Sequence, residues 1–496
     1  MPFRTLMLAL VTAALVAAPA AGHAQTRGKD AVVLAMALEP TGLDPTTAAA
    51  ASIGEIVHYN VLETLVKIRE DGSLTPLLAE SWTVSPDVRT FTFKLRPGVR
   101  FHNGEPFDAA TVKFTLERAA DPKSTNKDKA NFTAIESIQT PDAGTVVVRL
   151  KAPNPDFLFH MGLSTAVMVE PRSAATNATQ PVGTGPYRIE NWIKGSSLTL
   201  ARWDGYRDVG RIRMARVNWR FISDPAAQIA AMLAGDVDAF PRITGKAVPV
   251  FKSDPRFVVT VGGSRAKTIL AINNRKKPLD DVRVRRAIAA AIDRAAVIEG
   301  AADGFGAPIG SHYVPGAVGY VDTTGVNAHD PARARALLAE AGVKAPLELS
   351  LKLPPPPYAR QGGEVIAAQL AKVGIVAKIE NVEWAQWLSG VYTNKNYDLT
   401  IISHVEPLDL GNYAKDNYYW NYESPKFRAL FSRISATGDD AERARLLGEA
   451  QRLIAQESPN VFLYQPQWVS VANAKLKGLW KDVPIFANDL SLLYWE

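Results

Sequence analysis

Residues 397–413, YDLTIISHVEPLDLGNY, hold the polar side chains with the clearest capacity for ligand recognition. They begin with a short β-branched apolar run at residues 399–402, which predicts a strand. His404, Glu406 and Asp409 follow just past the end of that strand. Ligands of open α/β sheets bind outside the carboxyl ends of the strands, so these three side chains are candidate ligand contacts. A solvated strand exit is the alternative interpretation.

The short motifs of common enzyme sites are missing from the sequence. It has no G-x-S-x-G, H-E-x-x-H or Walker sequence, and it has no cysteine. None of the seven histidines has a partner at metal-ligand spacing. We therefore predict no catalytic residue, no metal ligand and no cofactor, although carboxylates that converge only in space escape such a search. A binding protein is expected, and an exported hydrolase is a remote alternative.

The composition is that of a globular protein of two or three domains. The chain has 496 residues, of which 47% are hydrophobic and 21% charged, with a net charge of +6. Six arginines between residues 202 and 220 suggest a basic patch. Strand alternation divides them between two faces, however, and Asp204 and Asp208 dilute their charge. No nucleic-acid partner is therefore predicted, and a monomer is expected.

The N-terminus has the pattern of a secretory signal peptide over residues 1–24. Arg4 supplies the positive region, residues 6–21 are mostly apolar, and small residues lead to a cleavage site between Ala24 and Gln25. Cleavage after Ala20 and a buried N-terminal helix are the alternatives. No cysteine is present to carry a lipid anchor, and no later run is long and apolar enough to span a membrane. We expect a soluble periplasmic protein.

Predicted strands and helices alternate along the chain, so the fold class is α/β. Hydrophobic periodicity predicts strands at residues 31–38, 90–95, 145–150, 187–192, 198–203, 217–221, 257–261, 268–272, 347–353, 375–379, 399–402, 461–464 and 468–471. Periodicity and capping residues predict helices at 53–66, after Asp108, from Asp224-Pro225 to Gly235, and at 280–300, 330–342, 361–373 and 439–456. The glycines of PVGTGPY at 181–187 do not form a phosphate loop, because Arg188 holds the third glycine position. We interpret them as a structural turn.

Five segments together resemble the family 5 solute-binding proteins of bacterial ABC importers, which include dipeptide and oligopeptide binders. In chain order they are PLLAESWTVSPDVRTFTFKLRPGVRFHNGEPF at 76–107, VGTGPY at 182–187, PLDDVRVRRAIAAAIDR at 278–294, DPARARALLAEAG at 330–342 and LAKVGI at 370–375. The resemblance covers essentially the whole mature chain. These are mainly scaffold motifs, so they carry little information about the ligand.

The resemblance implies a two-lobed periplasmic binding fold, with mixed sheets flanked by helices, that closes around a ligand and presents it to an inner-membrane permease. Lobe I is expected at residues 25–266 plus 473–496, with an inserted subdomain at 53–177. Lobe II is expected at 267–472. The two crossings between the lobes would then lie near residues 263–267 and 472–477.

The resemblance also implies ligand contacts outside residues 397–413. Trp384 stands where family members place a cleft aromatic, and Arg360 lies near the cation that peptide binders use for a ligand carboxylate. Glu39 lies in the loop after the first strand, and Asn421 lies in a stretch that borders the cleft. A surface position is the alternative for Arg360.

Residues 397–413 depart from the pattern of the family's peptide binders. Those proteins carry here a tryptophan and, after two residues, an aspartate that pairs with the free ammonium of the peptide. When the sequences are aligned from Asp398, this chain has His404 at the tryptophan position and Pro407 at the aspartate position. When they are aligned on Glu406-Pro407, it has Ser403 at the aspartate position, so neither alignment supplies the aspartate. A buried ammonium without a carboxylate partner is costly, so a peptide with a free N-terminus is disfavoured.

Three functions follow in order of expectation. The first is a periplasmic binding protein for a small polar solute, either a modified peptide or a carboxylate-bearing compound. The second is a conventional dipeptide or oligopeptide receptor, in which Glu406 or Asp409 replaces the missing aspartate. The third is the exported hydrolase.

Overall fold

The computed structural model describes residues 28–496, so the predicted signal peptide at 1–24 lies outside the described residues. The helices are α1 Ala51–Val57, α2 Ala109–Ala120, α3 Lys129–Thr133, α4 Phe157–His160, α5 Pro225–Ala234, α6 Val248–Lys252, α7 Val282–Ala291, α8 Arg294–Ala302, α9 Pro331–Glu340, α10 Pro357–Ala371, α11 Trp384–Gln386, α12 Pro425–Ala436 and α13 Asp440–Glu457. Across residues 28–496, none of the helices has both the length and the apolar character that a membrane crossing requires.

The strands confirm the predicted α/β class. They are β1 Ala31–Met36, β2 Val66–Ile68, β3 Leu74–Pro76, β4 Ala79–Val84, β5 Thr90–Leu95, β6 Ile135–Asp142, β7 Thr145–Leu150, β8 Tyr187–Ile193, β9 Ser197–Arg202, β10 Arg216–Phe221, β11 Ala239–Phe240, β12 Phe257–Gly263, β13 Lys267–Ile272, β14 Gly306–Pro308, β15 Leu347–Leu353, β16 Ile375–Asn381, β17 Leu399–His404, β18 Asn460–Asn473, β19 Leu476–Lys477 and β20 Tyr494–Trp495.

One large mixed sheet links the two halves of the molecule. Its order is β16-β15-β17-β13-β18-β11-β1-β10-β9-β8, with β12 and β14 also paired to β18. The β16-to-β13 side carries its own buried core around Ile272, Ile288 and Leu351. The β11-to-β8 side carries another, around Leu34 and Trp219. Each half therefore has a core of its own, and β18 belongs to both.

The course of β18 corrects the second predicted crossing. Residues 460–464 pair with β13 in one half, and residues 467–473 pair with β12 in the other. Val469 and Val471 are accordingly buried in the core of the first half. The chain therefore crosses near Gln465 and Pro466, and the predicted crossing at 472–477 was placed too late because β18 appeared in the sequence as two separate strands.

The sequence predicts the first crossing near residues 263–267. Between β12 and β13 the chain passes through Ser264, Arg265 and Ala266. The Ser264 hydroxyl donates to the Pro466 carbonyl at 2.6 Å, and the Gln465 side-chain amide donates to the Ser264 carbonyl at 2.6 Å. The two crossings are thus bonded directly to each other.

A separate four-stranded antiparallel sheet, in the order β4-β5-β7-β6, forms a subdomain inside the first half. Phe91, Phe93 and Val148 project from it onto Val112 and Leu116 of α2, in a core of its own. The strict alternation of residues 90–95 predicted this half-buried strand, and the Asp108 side chain caps α2 by accepting from the Thr111 amide at 2.9 Å.

The subdomain's core starts later than the predicted boundary at residue 53. Ile53 and Ile56 of α1 are buried in the core of the first half's main sheet. The subdomain's own core begins at Leu65 and extends to Met168. Helix α1 also ends at Val57, well before the predicted 66, so the apolar residues that follow it belong to a turn and not to the helix.

The predicted helix at 280–300 is two helices. Helix α7 ends at Ala291, and Asp293 caps α8 by accepting from the Ala295 amide at 2.9 Å. An aspartate in this position is an N-cap signal, but the alanine-rich periodicity on both sides concealed the break.

The turn in PVGTGPY is structural, as predicted. A Cβ added to Gly183 would lie 1.8 Å from the Val61 carbonyl oxygen, and one added to Gly185 would lie 2.5 Å from the Asn60 carbonyl oxygen. Only glycine permits this close backbone approach. The turn therefore packs directly against the segment that follows α1.

We expect Gly183→Ala to destabilise the protein by about 1–3 kcal/mol or more, because the new methyl group overlaps a backbone atom. Gly210→Ala is the matched control, since a Cβ at Gly210 meets nothing within 4 Å, and it should stay within about 0.5 kcal/mol of the unmodified protein. Urea unfolding followed by circular dichroism measures both. Equal stability of the two variants would contradict the close approach.

Candidate functional site

A cavity of about 670 Å³ opens between the two halves of the molecule. Its walls come from the α1 and α4 regions of the first half, from residues 402–409 and the π-helical turn Trp387–Thr393 of the second half, and from the first crossing at residues 264–266. Small-molecule sites occur preferentially at such boundaries between domains. This cavity is the candidate ligand site.

Strand β17 delivers His404 to the cavity, as its last residue. Antiparallel pairing with β13 places His404 directly opposite Lys267, the first residue after the crossing. The chain then turns back through residues 405–408 to Asp409, whose side chain is 7% exposed. Two segments that are distant in sequence thus meet at the end of one strand pair.

Asp409 is the centre of a buried polar network. Its Oδ1 accepts from Lys267 Nζ at 2.5 Å, and Lys267 Nζ also donates to the Glu406 carbonyl at 2.5 Å. Its Oδ2 lies 2.9 Å from His312 Nε2 and 3.1 Å from His404 Nδ1. The side chain of Lys267 is 2% exposed, so the ion pair is almost fully removed from water.

Hydrogen bonds with Asp409 and Tyr413 fix the tautomers of the two histidines. Asn460 Nδ2 donates to the Tyr413 hydroxyl at 2.8 Å, so that hydroxyl donates onward to His312 Nδ1, 3.2 Å away. The proton of His312 then lies on Nε2 and faces Asp409. His404 Nε2 lies 3.0 Å from the Tyr419 hydroxyl, and its Nδ1 carries the proton because it faces the Asp409 carboxylate, which only accepts.

The grouping of His312, His404 and Asp409 resembles a metal site, since one ligand atom from each lies within 4.8 Å of the others. In these tautomers, however, both imidazole nitrogens that face Asp409 carry protons, and the Lys267 ammonium occupies the other carboxylate oxygen. A metal ion would require an unprotonated nitrogen of each imidazole to face it, and the adjacent Lys267 ammonium would repel it. The three side chains do not fit a metal centre in this arrangement.

Burial opposes the charged form of Asp409, but its interactions with His312 and Lys267 and the hydrogen bond from His404 outweigh it and hold the pKa of this carboxyl well below its ordinary value. Burial lowers the pKa of His312 to about 4, although Asp409 acts in the opposite direction. At neutral pH the network therefore contains one carboxylate, one ammonium and a neutral His312.

Four of the seven predicted ligand contacts do not line the cavity. Glu39 accepts instead from Trp192 Nε1 and the Gly195 amide, both at 2.9 Å, and so secures the β8–β9 hairpin. The Arg360 guanidinium lies 3.2 Å from Glu383 on the outer surface. Both side chains stabilise local structure in this arrangement.

Trp384 and Asn421 are the other two. Trp384 is 42% exposed and packs edge-on against Trp387, which is 4% exposed and lines the cavity in its place. Asn421 has a left-handed backbone, φ +52°, and donates to the Asn273 side chain at 2.8 Å. The cleft aromatic thus lies three residues after the predicted one.

His404, Glu406 and Asp409, the other three predicted contacts, line the cavity. Their roles differ. His404 and Asp409 are held in the buried network, whereas Glu406 is exposed and engages the network only through its backbone carbonyl. Of the three, Glu406 has the side chain free to meet a solute.

Sequence reasoning missed three residues of the site: Lys267, Arg265 and His312. Lys267 and Arg265 lie at the predicted crossing. The only signal for them in the sequence is the change from polar to apolar residues where β13 begins. His312 lies 97 residues from Asp409. Nothing in the local sequence around it indicates that partner.

Two further histidines, His58 and His160, line the first-half wall of the cavity. Neither ring nitrogen of His58 has a hydrogen-bond partner among the described residues, and His160 Nδ1 also lacks one. Burial, followed by the nearby charge of Lys67, lowers the pKa of His58 to about 3. Burial also lowers the pKa of His160. This wall therefore presents neutral imidazoles.

The comparison with protein families decides the identity of the fold. A model described as bacterial extracellular solute-binding proteins, family 5 Middle, matches residues 73–426, which is more than half of the chain. The chain belongs to family 5 of the bacterial extracellular solute-binding proteins. This confirms the resemblance of the five sequence segments.

Relatives of this family 5 protein extend over its whole length. The glutathione-binding protein GsiB of Pectobacterium atrosepticum is 28% identical over 498 residues, covering 96% of this chain and 95% of the relative. GsiB of Escherichia coli strain K12 is 28% identical over 486 residues, covering 90% and 91%. Family 5 proteins are the substrate-binding components of ABC importers, and they are periplasmic.

Solved structures confirm the two-lobed fold. The periplasmic binding protein AgaA from A. tumefacien R10, in complex with agropinic acid, superposes with a TM-score of 0.78 at 28% identity, covering 94% of this chain and 99% of that one. DppA from Helicobacter pylori, in complex with the peptide STSA, gives a TM-score of 0.75 at 24% identity, covering 94% and 98%.

We expect Asp409→Asn to cost about 3–5 kcal/mol of stability, because it leaves the Lys267 ammonium buried without a counter-charge. The double variant Lys267→Met/Asp409→Asn removes both charges. It should lose less stability than the sum of the losses measured separately for Asp409→Asn and Lys267→Met. Glu406→Gln, in the same loop, is the control and should stay within about 0.5 kcal/mol. Urea unfolding at pH 7 measures the set. Additive single and double effects would contradict the buried ion pair.

The buried histidines predict how stability depends on pH. The pKa of His58 in the folded protein is about 3, below the ordinary value of about 6.5 in an unfolded chain, so below pH 6.5 the unfolded chain binds the extra proton. Stability is therefore complete above that pH and falls as the pH decreases.

The slope of the unfolding free energy against pH gives the number of protons that the chain takes up on unfolding. Between pH 6.5 and 5, His58→Phe should reduce that number by about one. His329→Gln is the control, because His329 is exposed. Urea unfolding at half-unit pH intervals measures the slope. An unchanged slope in His58→Phe would show that His58 is protonated in the folded protein.

Proposed function

We propose that the protein captures a small polar solute, either a carboxylate-bearing compound or a modified peptide, in the cavity between its lobes and delivers it to an ABC permease. The observation that carries this proposal is the ion pair between Asp409 and Lys267. The carboxylate in this part of the cleft is already neutralised by the protein's own ammonium.

A peptide with a free N-terminus gains little at such a site. Its ammonium would have to displace Lys267 from Asp409, and the displaced Lys267 would remain buried without a partner. His312 and His404 already occupy the other oxygen of the carboxylate. Recognition is therefore expected to rest on other groups of the ligand.

The relatives support this class of solute. Two of them are named for glutathione, and the structural neighbour at the same level of identity holds agropinic acid. Glutathione carries two carboxylates, and its single ammonium belongs to the amino-acid head of the γ-linked glutamate and not to an ordinary peptide N-terminus. Both compounds are the first candidates for the ligand of this chain.

A conventional peptide receptor is the second candidate, favoured by Glu406. The side chain of Glu406 is exposed at the cavity wall, and it forms no ion pair among the described residues. Its carboxylate is therefore available for a peptide ammonium, in place of the engaged Asp409.

The same proposal includes the export of the protein, its oligomeric state and the absence of catalysis. Residues 1–24 direct export and are then removed, and the mature protein acts as a monomer. It binds its solute without converting it and has no nucleic-acid partner.

A panel of compounds tests the proposal by thermal shift and calorimetry: glutathione, agropinic acid, trialanine and N-acetyl-trialanine. A ligand at 100 times its dissociation constant adds about 2.7 kcal/mol of stability, which raises the melting temperature measurably. We expect binding of glutathione or agropinic acid, and no preference for the free trialanine over its acetylated form.

Two results would count against the capture of a carboxylate-bearing compound or modified peptide. Tight binding of trialanine that acetylation abolishes would establish the conventional peptide receptor, and Glu406→Gln should then abolish the same binding. Turnover of a bound compound would establish the exported hydrolase.

A further inference from the structure

We propose that Glu406 and Lys415 form a subsite for a zwitterionic amino-acid head, whose ammonium lies on Glu406 and whose carboxylate lies on Lys415. This inference rests on the proposed function, and it specifies the modified peptide as one that keeps a free amino-acid head. Lys415 was not among the ligand contacts predicted from the sequence.

Both charged side chains belong to the cavity wall. Glu406 and Lys415 line the cavity from the second half of the molecule, and both are exposed. Lys415 Nζ donates to Asn412 Oδ1 at 2.7 Å and lies 5.5 Å from the centre of the Tyr418 ring. Asn412 and Tyr418 line the cavity too, so these contacts hold the ammonium among other wall residues. A solute in the cavity can therefore reach it.

Tyr418 lies close to the carboxylate as well as to the ammonium. Burial is the main cause that raises the pKa of the Tyr418 hydroxyl, and the neighbouring groups of Tyr392, Asp409 and Glu406 act in the same direction. Glu406 is therefore near enough to this tyrosine for its charge to act there. A carboxylate and an ammonium thus border the same ring on one wall of the cavity.

Neither of these two charges is neutralised by the protein. The recorded hydrogen bond of Glu406 involves its backbone carbonyl, and Lys415 donates to a neutral amide. The other carboxylates of the wall are already engaged, since Asp409 is neutralised by an ammonium and Asp128 Oδ2 accepts from the Thr165 hydroxyl at 2.7 Å. On the second-half wall a solute therefore meets a carboxylate and an ammonium that lack counter-charges among the described residues.

This pair of charges matches the head of an amino acid. Such a head carries an ammonium and a carboxylate on one carbon, so it can form charge-assisted hydrogen bonds with an anion and a cation that lie on the same wall. A γ-linked glutamate keeps both groups. In an ordinary peptide the N-terminal residue keeps only its ammonium, because its carboxyl group is in the peptide bond. Lys415 is therefore the residue that distinguishes a γ-linked glutamate from an ordinary peptide N-terminus.

The first experiment compares three ligands on the unmodified protein: glutathione, its α-linked isomer and N-acetylglutathione. The α-linked isomer has the same atoms as glutathione, but its α-carboxyl is in the peptide bond. The acetyl group removes the ammonium instead. Calorimetry should show that each of the two altered ligands binds roughly 10- to 100-fold more weakly than glutathione, the effect of losing a charged hydrogen bond.

The second experiment tests the two residues separately. Lys415→Gln should weaken glutathione by roughly 10- to 100-fold and abolish the preference over the α-linked isomer. Glu406→Gln should weaken glutathione to a similar extent and abolish the preference over N-acetylglutathione. Lys426→Gln is the control, because Lys426 is an exposed cation of α12 outside the cavity wall. It should change the affinities less than about three-fold.

Each outcome decides the inference. Equal affinities for glutathione and its α-linked isomer would overturn it, and so would glutathione binding that either Lys415→Gln or Glu406→Gln leaves unchanged. Binding of agropinic acid without binding of glutathione would also overturn it, although solute capture would still stand. Failure to bind both compounds would reject the proposed solute class and the inference with it. The ligand comparison uses the unmodified protein, so it provides the test if a variant does not fold.

Discussion

The neutralisation of one buried carboxylate governs the chemistry of this cleft. Asp409 is surrounded by an ammonium and two imidazole N–H groups at 2.5, 2.9 and 3.1 Å. A buried carboxylate that accepts this many bonds is stable in its charged form, and a buried ammonium beside it is stable only with that partner. The network satisfies its members internally, so it shapes the cavity wall without offering an unpaired charge to a solute.

The sheet topology explains why this network forms at the boundary of the lobes. Strand β13 starts immediately after the first crossing, and its first residue, Lys267, is paired in register with His404 at the end of β17. The two crossings are bonded through Ser264. The conformation of the crossings therefore determines the position of Lys267, and the buried ion pair anchors the start of the second lobe.

Sequence reasoning succeeded where the signal is local. Asp108 and Asp224 were predicted as caps and act as caps, because an N-cap depends on residues within one turn. The β-branched run at residues 399–402 predicted β17, although the strand extends two residues further, to His404. The boundary between α7 and α8 was missed because strong helix formers lie on both sides of it, although Asp293 carries the cap signal.

The site itself was only partly predictable, because its partners come from distant parts of the chain. Lys267 is 142 residues from Asp409 and His312 is 97, and neither separation leaves a pattern in a single sequence. The ligand contacts implied by the family resemblance depended on an alignment of loops, in which insertions displace equivalent residues by a few positions. That is why Trp384 was predicted and Trp387 lines the cavity.

A crystal structure of the protein purified from its native host with its bound solute tests the central claim most directly. The account predicts that Asp409 remains within hydrogen-bond distance of Lys267, His312 and His404, and that no ammonium of the solute lies on Asp409. A solute ammonium on Asp409, with Lys267 displaced from the carboxylate, would contradict it.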